Sequence, residues 1–155
     1  MFNEDGRAMR TPTFKLSTAK GMKNKMERLL NRQCNPGQLS PLTLAFVGDA
    51  VFTLLVREQI SCAANAPVSA LHSQSAEKVN ATAQSSAVER IMPKLSEEEA
   101  AILRRGRNAH TGGTPKNASS AEYHRATGLE ALFGYLYLMG NIGRVREIYL
   151  LICDE

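Results

Sequence analysis

Residues 42–56, LTLAFVGDAVFTLLV, hold a single charge, Asp49. Ser40 precedes the run and Pro41 starts it. A serine oxygen can accept from an unpaired helix amide, and proline has no amide to leave unpaired, so the pair reads as N-cap and first helical residue. One helix is expected from Pro41 to about Cys62. Apolar on every side, it reads as a helix buried in the middle of a bundle. It is also too short, and too interrupted by its acid, to span a membrane. Residues 126–140, ATGLEALFGYLYLMG, have the same character and again contain one acid, Glu130.

Punctuation residues around these two runs mark further helices. Asn65, Ala66 and Pro67 break the chain before a helical region from Val68 to about Met92, which Pro93 closes. Its Ala, Ser and Gln content predicts a partly exposed, bent helix. Ser96 with Glu99 has the spacing of a capping box, and the three glutamates of EEEAAILRR suit the positive end of that short helix. Ser119 with Glu122 repeats the box and opens the helix that carries Glu130, ended near Met139 by Gly140, Asn141 and Gly143. RVREIYLLICDE closes the chain as an amphipathic helix. No strand pattern survives, so the class is an all-α helical bundle. Leu71, Val79, Val88, Ile148, Leu151 and Ile152 are the expected core. Upstream, MERLLNR reads as a short amphipathic piece stopped by Asn35, Pro36 and Gly37. Residues 1–38 are thus a basic, largely flexible extension and residues 39–155 the folded domain.

A chain of 155 residues that is 43% hydrophobic and 22% charged is long enough to bury one core, which excludes disorder of the whole. Cys34, Cys62 and Cys153 lack C-x-x-C spacing and the three histidines lack H-E-x-x-H spacing, which argues against a disulfide scaffold and against a zinc site. The unpaired cysteines fit a reducing cytoplasm, and MFNEDGRAMR has no apolar core of a secretory signal. Residues 1–33 carry eight Lys or Arg against three acids, a net of +5, which leaves −1 for the remainder of a chain whose total is +4. Such a basic arm on a near-neutral body favours polyanionic partners.

Asp49 and Glu130 carry the chemistry. An ionised carboxylate in an apolar bundle costs several kcal/mol unless a cation meets it. Each acid lies beside two small residues three apart, Ala45 with Gly48 and Ala131 with Gly134, which would let the two helices approach and make the acids neighbours. Paired carboxylates repel unless a divalent cation lies between them. Hard oxygen ligands favour Mg²⁺, with Mn²⁺ able to substitute, and Mg²⁺ assists phosphodiester hydrolysis. Between the two acids in sequence, RGRNAHTGGTPKN is glycine-rich, and no acid occurs from Ala100 to Ala121. Arg104, Arg105, Arg107 and Lys116, with Asn108 and Asn117, read as a flexible loop that grips a phosphate backbone. His124, close to that loop, is a further candidate for substrate contact. No base-reading motif is visible, which leaves recognition of duplex shape.

LAFVGDAVF at 44–52 resembles the signature helix of the ribonuclease III domain, and TGLEALFGYLYL at 127–138 resembles its second acidic helix. RGRNA at 105–109 and PKNASSAEY at 115–123 resemble stretches of the compact Mini-ribonuclease III group, which lacks a separate double-stranded-RNA-binding domain. The resemblance covers about Leu39 to Glu155. It implies a ribonuclease III endonuclease-domain-like bundle, in which Asp49 and Glu130 are catalytic and hold Mg²⁺. It further implies a homodimer whose two sites each cut one strand of duplex RNA, leaving 5′-phosphate and 3′-hydroxyl ends, with the 23S ribosomal RNA precursor as substrate. Leu42 and Ala45 stand where larger family members carry glutamates, and Thr127 where they carry an aspartate, so the ligand set is reduced. The competing expectation is a non-catalytic RNA-binding or ribosome-associated protein that kept the fold.

Overall fold

The computed structural model describes residues 28–30, 32–109 and 119–153. Among the described residues there are six α-helices, two short 3₁₀ turns and no strand, which makes the fold all-α. Helix α1 is Pro41–Ala63, α2 Val68–Val79, α3 Ala81–Ile91, α4 Glu97–Arg107, α5 Ser120–Leu138 and α6 Ile142–Cys153. The expected caps are present. Ser40 Oγ accepts from the Thr43 amide at 3.1 Å, and both capping boxes close, Ser96 with Glu99 and Ser119 with Glu122.

Four expectations change. The helical region from Val68 to Met92 is two helices, broken at Asn80. There the side chain accepts from the Ala83 amide at 2.9 Å and donates to the Glu77 carbonyl at 2.8 Å, so one residue stops α2 and starts α3 without glycine or proline. The described part of MERLLNR is not helical, and Leu29 and Leu30 are 88% and 79% exposed. So short a piece cannot hold a helix without a surface to pack on. Ordered packing instead begins at the buried Pro36 of the turn Pro36–Gln38. Leu71 is only half-buried and lies outside the core, because α2 runs along the periphery with Ser75 as its one buried residue.

The fourth change concerns which helix is central. It is α5: every residue from Ala126 to Leu136 is buried except Glu130. Helix α1 presents Leu44, Gly48, Phe52 and Val56 to it, one residue per turn, while Phe46 on the far side is 82% exposed. The apolar character of α1 all round therefore does not mean burial all round. Val88, Ile148 and Ile152 join the core as expected, and Val79 and Leu151 pack at its edge. Arg144 at the start of α6 ties that helix to the start of α4. Its guanidinium donates to both Glu99 carboxylate oxygens, at 2.8 and 2.9 Å, and to the Lys94 carbonyl at 2.8 Å. No described helix is long and apolar enough to cross a membrane.

Candidate active site

Helices α1 and α5 touch backbone to backbone. A Cβ on Gly48 would stand 1.7 Å from the Glu130 carbonyl oxygen, and one on Gly134 would stand 1.9 Å from the Leu44 carbonyl oxygen. Only glycine at both positions permits this crossing. Ala45 and Ala131, both buried, accompany the two glycines on the contacting faces. Asp49 follows Gly48 directly and is exposed, and Glu130 is half-buried on the facing helix.

The two acids interact. Burial, and then the negative charge of Asp49, push the Glu130 carboxyl up from 4.5 to about 7, against a smaller downward pull from the Gln84 amide. Gln84 comes from α3 and is 1% exposed. It lies close enough to Glu130 to favour the carboxylate, yet its buried Nε2 donor is left without a hydrogen bond of ordinary geometry. Helix α3 is pinned next door, where Arg125 Nε of α5 donates to the buried Ser85 Oγ at 2.6 Å.

Glu130 opens into a cleft of about 690 Å³ between the α2–α3 junction and α5, lined among others by Glu77, Asn80, Thr82, Gln84 and Tyr123. Thr127 also lines it, but its hydroxyl is committed to the Tyr123 carbonyl at 3.0 Å and its side chain is buried. Ala45 is buried in the helix crossing and Leu42 is half-exposed. None of these three adds a carboxylate oxygen beside Asp49 and Glu130. Among the described residues no group of three or more His, Cys, Asp or Glu side chains could hold a metal ion.

The arginines sit differently from the expected loop. Arg104, Arg105 and Arg107 are exposed residues of the last turn of α4, and Asn108 caps it, with its Oδ1 accepting from Arg107 Nε at 3.3 Å. The helix persists because Gly106, between two of the arginines, packs into α5. A Cβ there would stand 2.9 Å from the Gly128 Cα. Tertiary contact thus overrides the poor helix preference of glycine. This second glycine crossing brings the basic end of α4 against α5 two residues before Glu130. His124, one turn before Gly128, is half-buried with Nδ1 unpartnered, its ring edge-on to Tyr123 at 5.9 Å between centroids. Lys116 and Asn117 lie outside the described residues. The structure therefore brings Asp49 and Glu130 together and places Arg104, Arg105, Arg107, Asn108 and His124 on the adjoining α4–α5 side. Gln84 was not foreseen. It lies four residues after the N-cap Asn80, and no local feature of the sequence marks it as buried.

Residues 42–141 match the Ribonuclease III domain. The chain belongs to the ribonuclease III domain family. It is 50% identical over 110 residues to the Mini-ribonuclease 3 of Thermoanaerobacter sp. strain X514, covering 71% of this chain and 78% of that protein. With the Mini-ribonuclease 3 of Symbiobacterium thermophilum it shares 45% identity over 123 residues, 79% of this chain and 95% of the relative. A crystal structure of a Fusobacterium nucleatum protein superposes with a TM-score of 0.68 at 32% identity, covering 76% of this chain and 93% of that one. Family membership makes the chain an endoribonuclease. The ribonuclease III match spans both glycine crossings and both acids.

Proposed function

We propose that the chain is a Mg²⁺-dependent endoribonuclease that cleaves double-stranded RNA, with Asp49 and Glu130 as its catalytic and metal-holding carboxylates. The observation that supports this most is the pair of acids held side by side at the Gly48–Gly134 crossing, where the charge of Asp49 and burial together raise Glu130 to about 7. Their donor atoms are hard oxygens, and repulsion between them is relieved by a divalent cation, so the pair fits Mg²⁺ with most of its waters retained, or Mn²⁺ in its place. When bound, such an ion supplies Lewis acidity that screens phosphoryl charge and makes water a stronger acid.

The protein supplies position. Helices α1 and α5 fix the two carboxylates through backbone contact rather than through mobile side chains, so little ordering remains for the moment of reaction. The exposed guanidiniums of Arg104, Arg105 and Arg107 and the amide of Asn108 seat the RNA backbone, joined by Lys116, Asn117 and His124. Water attack in line with the leaving 3′ oxygen produces a 5′ phosphate and a 3′ hydroxyl. The exposed face of α1, with Leu42 38% and Phe46 82% exposed, is the surface for a second copy, giving a homodimer that cuts both strands. The ends of the 23S ribosomal RNA precursor, in the cytoplasm, are the natural substrate. Two exposed thiols, Cys34 and Cys62, suit that reducing compartment.

A test is cleavage of a duplex RNA by wild type and Asp49→Asn, with Mg²⁺ and with chelator. Wild type cleaves only with the metal, and the variant keeps its circular dichroism spectrum but loses roughly a hundredfold or more in rate. Full activity in the variant, or equal cleavage in chelator, refutes the assignment.

A further inference from the structure

We propose that the cleft between α3 and α5 seats a ribose of the substrate and that Gln84 reads its 2′-hydroxyl, so that this residue helps the site choose RNA over DNA. The inference rests on the nuclease reading and adds the group recognised beside the cut.

Gln84 is 1% exposed and is one of the residues lining the cleft, and its buried Nε2 makes no hydrogen bond of ordinary geometry. A buried donor left unpaired destabilises the fold, so its presence calls for an acceptor that arrives from outside. The helix that carries it is held in place. Its neighbour Ser85 is held by Arg125 at 2.6 Å, and α3 is capped a turn earlier by Asn80. The chemistry of the walls selects the visitor. Two carboxylates, Glu77 and Glu130, and the side chains of Thr82 and Tyr123 face the cleft, and no lysine or arginine lines it among the described residues. A phosphate would meet two acids and no cation there. A hydroxyl meets what it needs, because it accepts from Gln84 Nε2 and donates to a carboxylate. Thr127 does not compete for it, since its hydroxyl is already committed to the Tyr123 carbonyl. The 2′-hydroxyl is the group with this dual character that RNA carries and DNA lacks. Because Glu130 borders the cleft, the ribose concerned adjoins the phosphate that is cut.

The experiment uses wild type and Gln84→Met, an apolar side chain of similar length. Single-turnover cleavage in Mg²⁺ and affinity in chelator are measured on an all-ribose duplex and on duplexes with one 2′-deoxy nucleotide moved along either side of the cleaved phosphate. In wild type, one deoxy position lowers rate and affinity roughly tenfold, the loss expected when a site built for a hydroxyl does not find it. Gln84→Met lowers the all-ribose duplex by the same factor and loses nothing more at that position. If the two losses multiply, or if wild type is indifferent to every deoxy position, the proposal is overturned. Should Gln84→Met fail to fold, the wild-type scan decides alone. A wild type that binds duplex RNA with the deoxy pattern intact but never cleaves it overturns the nuclease reading and sustains this one.

Discussion

At the scale of single residues the protein holds an acid in a place that disfavours its charge. Glu130 titrates near 7 because it is buried beside Asp49, whereas in the unfolded chain it titrates at 4.5. A carboxyl raised on folding contributes its full stability below the unfolded value and loses it as pH climbs toward the folded one. In chelator the wild-type protein should therefore lose roughly 3 kcal/mol between pH 4.5 and 8, the energy equivalent of that shift. Glu130→Gln removes the ionisation, so urea unfolding should find the variant more stable than wild type at pH 8 and no more stable at pH 4. A variant less stable than wild type at pH 8 would mean that the carboxylate is met by a cation of the protein itself. Glu99 is the opposite case. The hydrogen bonds from Arg144 hold it below its usual 4.5 despite burial, so its contribution is present above 4.5 and is lost as pH falls through the lowered value. Arg144→Met should cost about 2 kcal/mol at pH 7 and flatten the acid limb of the stability profile, as measured by denaturant unfolding from pH 7 down to 3.

At the scale of elements, the site is a consequence of how α1 and α5 cross. Gly48→Ala places a methyl 1.7 Å from a main-chain oxygen that belongs to Glu130 itself, and backbone cannot step aside as a side chain can. The expected result is destabilisation of about 3 kcal/mol or more together with loss of cleavage, since the helices must separate and carry the two acids apart. Gly37→Ala, whose Cβ would meet only Asn35 Oδ1 at 3.4 Å, should change neither property. Unfolding midpoints and cleavage rates of the two variants, side by side, check both halves. This crossing was readable in the sequence from glycines placed inside apolar helices, where helix preference alone offers no reason for them. The capping boxes were readable for a similar reason, because Ser96 with Glu99 and Ser119 with Glu122 carry their partners at fixed spacing. The break at Asn80 was not, since one asparagine ended one helix and began the next without the usual punctuation. Nor was the continuation of α4 through Gly106 and Arg107, which depends on Gly106 finding Gly128 across a long stretch of chain. The burial of Gln84 is not legible either, because nothing local distinguishes a buried glutamine from an exposed one.

At the scale of the whole molecule, α5 is wrapped by the other helices while α1 is covered on one side only. Phe46 is two residues on from the buried Leu44, about 200° around the helix, and it stands in solvent beside the site. The proposed homodimer would cover this face, so that the apolar run that reads as a central helix would be central to a pair of molecules instead of to one. Phe46→Asp should produce a monomer in light scattering, with the helical spectrum retained and cleavage of both strands lost. A variant that remains dimeric would move the interface elsewhere.

The most direct measurement is an anomalous difference map from a crystal soaked in Mn²⁺. The account predicts one peak lying between α1 and α5, with oxygens of both Asp49 and Glu130 within about 2.1–2.3 Å. Saturating Mn²⁺ with no density between these two carboxylates, in crystals of a protein that cleaves RNA in solution, would contradict it.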